Sequence, residues 1–208
     1  MSRKTSCEDY VNVLSSSAPT PGGGSAAALV GSIGISLGNM VGSLTVGKEK
    51  YADVEKEVQL LIKKASILRE EFLDLMEEDA KNFEALSAAY KLPAETEQQK
   101  AEKEKVLEDA LRKACEAPLD LMVKCGIAIE AQEGFAKKGN KMVVSDAAIG
   151  VVLCKAALES AAFNIYINTK AMKNRESAET LKKHTEAVLK KYSKMADEIA
   201  EEIRAELQ

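Results

Sequence analysis

Asp79 is the residue in this sequence whose position best suits chemistry. It lies in a predicted helix, about Tyr51 to Tyr90, whose apolar residues recur every three or four positions as one stripe. Asp79 continues that stripe between Leu75 and Phe83, where a lone ionised carboxylate is costly. It is therefore either a carboxylate that caps or pairs inside the protein, or one held in a partly dry cleft with its pKa raised toward a catalytic value.

Three more polar side chains lie on a predicted helix of small and apolar residues, about Asp146 to Met172, with Ser145 as its predicted N-cap. Asn164 and Asn168 are four residues apart, so they share a face and can bond one partner, although purely structural bonds between helices explain them equally well. Asp146 lies about 27 Å of helix before Asn164. The two cannot hold one small group within a single copy, so their joint use requires an extended ligand or a dimer.

The run Gly22-Gly23-Gly24-Ser25 precedes a predicted helix that ends at about Thr45. Backbone N–H groups at such a helix start can hold an anion or a developing oxyanion. The run lacks the lysine of a P-loop, and a flexible turn explains it equally well. Within the helix, Gly34, Gly38 and Gly42 share one face, which predicts the close approach of a second helix.

Composition excludes several function classes. The 208 residues carry a net charge of −4, which offers no basic field for nucleic acid. The one histidine, His184, lies in a charged helical stretch and is predicted to be solvated, so catalysis must depend on carboxylates, lysines, amides and backbone groups. The four cysteines show no metal-ligand spacing, and we expect reduced, mostly buried thiols in a cytoplasmic protein.

Residues 11–47 contain no charged side chain, and part of this run is long enough to span a bilayer. Glycines, serines, Asn39 and Thr45 dilute its hydrophobicity, and its flanks are unlike those of a signal peptide. A buried helix in a soluble bundle is the favoured interpretation, with no membrane partner.

Hydrophobic periodicity predicts helices throughout the chain. The predicted fold class is all-α, a single domain over residues 1–208 built as a dimeric bundle of long helices, with the glycine-rich helix Ala26–Thr45 near its centre. The first three predicted helices run from a capping box at Thr5 and Glu8 to about Leu14, from Gly24 or Ser25 to about Thr45, and from about Tyr51 to Tyr90. The fourth runs from a capping box at Thr96 and Gln99 to Gly134 or Gly139, and Pro118 either kinks or restarts it. The last two run from about Asp146 to Met172 and from Ser177 to about Leu207.

Several segments taken together are similar to one family. They are PTPGGGSAAA at 19–28, LTVGK at 44–48 with Tyr51, Leu92-Pro93, Gly139-Asn140 followed by Ser145-Asp146, and FNIYIN at 163–168. They occur in the family's order and cover nearly the whole chain. On these segments the chain resembles the family of formiminotransferase-cyclodeaminase (its cyclodeaminase domain) and methenyltetrahydrofolate cyclohydrolase.

The resemblance implies an all-helical, dimeric enzyme that acts on tetrahydrofolates carrying one-carbon units. In the cyclohydrolase reaction, water attacks the methenyl carbon between N5 and N10, and the adduct collapses to 10-formyltetrahydrofolate. In the cyclodeaminase reaction, N10 attacks a formimino carbon on N5, and ammonia leaves. Neither reaction requires a metal, a redox cofactor or histidine, so no cofactor is expected besides the folate substrate.

The resemblance also implies roles for particular residues. Asp146 and Asp79 are the expected catalytic carboxylates, and it stays open which is acid and which is base. Lys48 is the expected proton donor or electrostatic partner. The expected substrate-binding residues are Gly22, Gly23, Gly24, Ser25, Tyr51, Ser145, Asn164 and Asn168.

Three functions stay open at this point. The first is methenyltetrahydrofolate cyclohydrolase, modestly favoured because this one domain takes up the 208 residues and leaves no room for a fused formiminotransferase domain. The second is formiminotetrahydrofolate cyclodeaminase, which releases ammonia instead of consuming water. The third is a non-catalytic helical interaction module, in which Asp79, Asp146 and Lys48 are paired internally and bind no folate.

Overall fold

Helices make up nearly the whole of the computed structural model, which describes residues 3–208. The α-helices, numbered in chain order, are α1 (Cys7–Leu14), α2 (Gly23–Ser43), α3 (Glu55–Tyr90), α4 (Glu97–Ala114), α5 (Glu116–Lys138), α6 (Val144–Ala171) and α7 (Arg175–Leu207). Short 3₁₀ helices at Glu49–Val54 and Lys141–Val143 precede α3 and α6. No strand occurs within residues 3–208, so the all-α prediction is confirmed.

Helix α2 packs against α3, α5 and α6, and its glycines make this contact possible. A Cβ atom at Gly34 would lie 2.8 Å from the Cys154 sulfur of α6, and one at Gly42 would lie 2.7 Å from Ile62 of α3. The close approach predicted from the glycine row is therefore observed. Helix α2 is not fully enclosed, however, because Ile33 and Met40 on its outer side are exposed.

Helix α2 also runs antiparallel to α6. Gly23 at its start lies beside Asn164, Gly34 lies beside Gly150, and Thr45 just beyond its end accepts a 2.8 Å hydrogen bond from the Asn140 backbone. This helix is long and apolar enough to cross a membrane by length and composition alone, and its inner side is buried in the protein.

The helix starts correct several predictions. Ser6, not Thr5, caps α1, because its Oγ accepts the Asp9 backbone N–H at 3.1 Å. Gly22 is the N-cap of α2, so Gly23 and Gly24 form its first turn instead of a flexible loop. Ser145 was predicted to cap α6 and does not. The helix begins at Val144, two residues earlier than predicted, because a 3₁₀ turn capped by Asn140 already holds the backbone in a helical course.

Other local signals hold. Thr96 and Gln99 form the predicted capping box of α4. Pro118 lies in the first turn of α5, where its missing N–H costs nothing, and the break with α4 comes at Cys115. Cys115, Cys125 and Cys154 are buried and unpaired, and His184 is exposed as predicted.

Candidate functional site

A cleft of about 340 Å³ opens where the start of α2 meets α3 and the last turns of α6. Asp79, Gly22, Gly23, Gly24, Asn164 and Asn168 all line it, so six of the predicted site residues come together. Pro19, Thr20, Asn82, Phe83, Leu86, Tyr90, Ala114, Ile167 and Ala171 complete its walls. The cleft thus combines an apolar and aromatic surface with a few polar groups, as small-molecule sites usually do.

Asp79 is the ionisable group of this cleft. Burial raises the pKa of its carboxyl above the ordinary value, and a hydrogen bond from the Ser25 backbone N–H partly offsets this effect. Both interpretations of Asp79 therefore apply, because the carboxylate caps the start of α2 and also faces the cleft. A carboxyl with a raised pKa is the stronger base once it is ionised.

Tyr10 of α1 holds Ser25 at the start of α2, next to Asp79. Its buried hydroxyl donates a 3.2 Å hydrogen bond to the Ser25 Oγ. Burial raises the pKa of Tyr10, the bond to Ser25 lowers it, and the nearby charge of Asp79 raises it further. The phenol therefore stays protonated and holds Ser25, whose N–H in turn faces Asp79.

The first turn of α2 offers backbone donors to the cleft. The earliest N–H groups of a helix have no partner within it, and Ala26 is the first residue here to bond back, to the Gly22 carbonyl. The N–H of Ser25 is directed to Asp79. Within residues 3–208 no partner of the Gly23 and Gly24 N–H groups is described, and both residues line the cleft at the positive end of the helix dipole.

Of the two alternatives for Asn164 and Asn168, the structure shows separate structural bonds and no shared partner. The Nδ2 of Asn164 donates to the Ser160 carbonyl at 3.1 Å, and the Nδ2 of Asn168 donates to the Ala114 carbonyl at 3.2 Å. These bonds fix the amide planes. Each Oδ1 remains without a described donor and lies in the cleft wall, ready to accept from a ligand.

Sequence reasoning missed the residues that follow Asp79 along α3. Asn82, Phe83, Leu86 and Tyr90 lie three, four, seven and eleven residues after it and therefore share its face. The same stripe that singled out Asp79 contains them. Tyr10 gave no such signal, because 69 residues of chain separate it from Asp79.

Lys48, Tyr51, Ser145 and Asp146 do not join the cleft. They lie at the opposite end of α2 and α6, about 30 Å away by the length of α2. Tyr51 has a structural task there, because its hydroxyl donates to the Asn140 Oδ1 at 3.3 Å and accepts the Lys141 N–H at 3.2 Å. Lys48 and Ser145 are exposed and Asp146 is half-buried, and no ion pair of any of them is described.

Other chemistry has little support in the described part of the chain. Among residues 3–208, no three His, Cys, Asp or Glu side chains come together as metal ligands. Burial raises the pKa of Cys115, next to the cleft, to about 11 and that of Cys154 to about 12. Such thiols stay protonated at neutral pH and are poor nucleophiles.

Comparison with known proteins points to one family. The family model described as formiminotransferase-cyclodeaminase matches residues 6–187. Methenyltetrahydrofolate cyclohydrolase of Methylorubrum extorquens is 36% identical over 207 residues, which cover 100% of both chains. Formimidoyltransferase-cyclodeaminase of Mus musculus is 30% identical over 168 residues, 81% of this chain and 31% of that protein. The crystal structure of formiminotetrahydrofolate cyclodeaminase from Thermotoga maritima superposes with a TM-score of 0.81 at 27% identity, covering 96% of this chain and 98% of that one.

Proposed function

The chain belongs to the formiminotransferase-cyclodeaminase family, and from that premise we propose that it is a methenyltetrahydrofolate cyclohydrolase, which hydrolyses 5,10-methenyltetrahydrofolate to 10-formyltetrahydrofolate. The observation that carries the proposal is the half-buried carboxyl of Asp79, with its raised pKa, in the same cleft as the first turn of α2. The full-length likeness to a cyclohydrolase supports it.

In the proposed reaction, the ionised Asp79 serves first as general base. It takes a proton from a water molecule while the water oxygen bonds to the methenyl carbon between N5 and N10, which gives a neutral tetrahedral adduct. Asp79 then returns the proton to N5 as the carbon–N5 bond breaks. The remaining hydroxyl proton leaves to solvent, and the formyl group stays on N10, so one proton is released in each turnover.

Other cleft residues bind and orient the substrate in this proposal. The N–H groups of Gly23 and Gly24 stabilise the negative charge that develops on the oxygen. The Oδ1 atoms of Asn164 and Asn168 accept hydrogen bonds from the ring N–H and amino groups of the pterin. The rings of Phe83 and Tyr90, which line the cleft, contact the flat parts of the folate.

A spectroscopic assay tests this function. Purified protein, treated with EDTA, is mixed with 5,10-methenyltetrahydrofolate, and the methenyl absorbance is followed against buffer alone. We expect accelerated decay in the wild type and loss of the acceleration in Asp79→Asn. No acceleration by the wild type would refute the cyclohydrolase.

The cyclodeaminase is the second candidate, favoured by the structural match to formiminotetrahydrofolate cyclodeaminase. Its reaction needs no water, because N10 of the substrate attacks the formimino carbon on N5. The formimino group enters this reaction protonated. Asp79 would then take the N10 proton and pass it to the amino group of the adduct, which leaves as ammonia while the methenyl cation forms. Ammonia release from 5-formiminotetrahydrofolate, without hydrolysis of the methenyl compound, would assign this activity instead.

We further propose a cytoplasmic homodimer that uses no metal. The buried, unpaired cysteines support a reducing compartment. An exposed apolar face on α2 and α6 supports association with a second copy. Asp79 is the single carboxylate in the cleft wall, and a lone carboxylate beside amides is a weak metal ligand set.

A further inference from the structure

The outer sides of α2 and α6 form one apolar surface, here called the α2–α6 face. Its large exposed side chains are Ile33 and Met40 of α2, Leu44 just after α2, and Ile149, Val152, Phe163 and Ile167 of α6. They recur at three, four or seven residues, apart from one longer step in α6, so each set follows one side of its helix. With half-buried neighbours such as Val30 and Leu37, they form one continuous apolar surface, whereas the exposed apolar residues of a monomer are usually scattered singly.

The middle of the α2–α6 face also lacks charge, and Arg204 of α7 borders it beside Ile149 and Val152. Helix α2 contains no ionisable side chain. The charged residues in the middle of α6 turn toward α7, where Lys155 bonds to Asp197 at 2.6 Å and Glu159 contacts Ser193 at 3.5 Å. A surface of this size without charge is typical of the centre of a protein interface.

This face borders the cleft directly. A shallow groove in it is lined by Gly23, Ala26, Val30, Phe163 and Asn164, among others. Gly23 and Asn164 line the cleft too, as does Ile167 of the face. A protein seated on the α2–α6 face would therefore close one side of the cleft.

The far end of the same face carries polar groups without a partner. Lys48 follows α2 and is exposed, and Asp146 lies in the first turn of α6 and is half-buried. Neither takes part in a described ion pair. The hydrogen bonds of Tyr51 and Asn140 hold this end in place, so Lys48 and Asp146 are carried on a fixed support.

We propose that a second copy of this chain packs antiparallel on the α2–α6 face, so that Lys48 and Asp146 of the partner subunit complete the cleft that contains Asp79. The proposal rests on the proposed function, because it assigns these residues to that same site. A two-fold axis perpendicular to the helices places the start of one α2 beside the end of the other. Two identical sites then form, each from both subunits.

The joint use of both ends of the face selects this arrangement over the alternative. With the two-fold axis along the helices, like ends would meet, so Lys48 and Asp146 would lie only beside their own counterparts and each Asp79 would have no cation. The antiparallel arrangement brings the partner's Lys48 toward Asp79 and the anionic tail of the substrate. It also brings Asp146 of the partner subunit to Asn164, although the two residues lie far apart along α6 within one copy.

Heterodimers of two inactive variants give the test. Asp79→Asn with one affinity tag and Lys48→Ala with another are co-expressed, and the mixed dimer is isolated over both resins. One of its two sites then has Asp79 from one copy and Lys48 from the other, so we expect about half of the wild-type turnover of 5,10-methenyltetrahydrofolate. Mixed dimers as inactive as the two parents, or failure to isolate any mixed dimer, would overturn the proposal.

The matched control combines Lys48→Ala with Asp146→Asn. Both variants lose groups from the same end, so every site of this mixed dimer lacks one of them, and we expect no recovery. Recovery in this control equal to that of the first pair would show that mixing alone restores activity, and would also overturn the proposal.

A cross-linking experiment tests the arrangement without any substrate, so that failure of the proposed function remains distinguishable. A Cβ at Gly23 would meet only the Asn164 Oδ1 at 4.0 Å, so Gly23→Cys fits the fold. In a background with the exposed Cys7 changed to Ser, Gly23→Cys and Lys48→Cys copies are mixed and treated with a short bismaleimide. We expect a cross-linked dimer in the mixture and much less with either variant alone. Equal yields in all three samples would refute the antiparallel arrangement.

Discussion

The carboxylate of Asp79 occupies the space where residue 24 would carry a side chain. A Cβ built on Gly24 would overlap the carboxyl group, whereas a Cβ on Gly23 would meet nothing closer than 4.0 Å. Two adjacent glycines of one motif therefore differ in function. Gly24 permits the approach of α3 to the start of α2, while Gly23 lines the cleft with free space beside it.

Gly24→Ala should therefore displace Asp79 and reduce turnover by about 100-fold or more, in the range expected for loss of a general base. Gly23→Ala is the matched control and should stay within a few-fold of the wild type. Steady-state kinetics on both proteins, with circular dichroism to show that each is helical, makes the comparison. Equal losses in the two variants would contradict the role assigned to Gly24.

The pH dependence of turnover should follow the raised pKa of Asp79. Since the ionised carboxylate is the proposed base, kcat/KM should increase with pH as Asp79 loses its proton, with a midpoint above the ordinary carboxyl value of about 4. Initial rates, corrected for the reaction in buffer, measure this profile. Asp79→Asn should lose about 10²- to 10⁴-fold in rate together with the acid limb. If Asp79→Asn kept the same decrease of kcat/KM at low pH, that decrease would belong to another ionisable group.

Asp79→Asn should also be more stable than the wild type near neutral pH. The folded state raises the pKa of Asp79, so this group favours folding below its unfolded pKa, and the contribution is lost as pH rises through the folded pKa. Asparagine removes the half-buried charge and can still accept the Ser25 N–H, so a gain on the order of 1 kcal/mol is expected at pH 7 to 8. Urea unfolding at pH 7.5 and near pH 3.5 tests this, because the difference should vanish at the lower pH.

His184 should make no contribution to the reaction. Its side chain is exposed on α7 and lies outside the cleft, so His184→Ala is expected to keep turnover within about twofold of the wild type. The same kinetic assay at pH 6 and pH 8 measures it. A larger loss at either pH would require a histidine in the catalytic cycle.

The parts of the fold that could be predicted are those that depend on neighbours in the sequence. The stripe that exposed Asp79 as out of place, the spacing of Asn164 and Asn168, and the capping box at Thr96 are all local patterns, and each lies where the sequence placed it. The start of α1 was missed because Thr5 and Ser6 offer two overlapping capping patterns, and only the bond from Asp9 decides between them.

The grouping of the site residues could not be predicted in the same way. The family resemblance implied a common site for Lys48, Asp146 and Asp79, yet the antiparallel course of α2 and α6 holds Lys48 and Asp146 at the opposite end of one copy from Asp79. Tyr10 reaches Ser25 only through tertiary packing. Distances between helices depend on which faces pack together, and no periodicity within a single helix contains that information.

The α2–α6 face leads to a final prediction about assembly. Ile33 lies in the middle of α2 on this face, so Ile33→Glu would place a charge at the centre of the proposed interface and should give monomers. Leu60 is similarly exposed on α3. It lies nine residues, or about two and a half turns, before Arg69, whose carbonyl accepts a hydrogen bond from Ser32 of α2. Leu60 is therefore on the opposite side of α3 and points away from the α2–α6 face. Leu60→Glu should therefore remain dimeric. Sedimentation velocity on both variants measures the assembly state, and the monomer should also lose turnover, because its cleft lacks the partner's Lys48. A dimeric, fully active Ile33→Glu would show that the two copies associate through another surface.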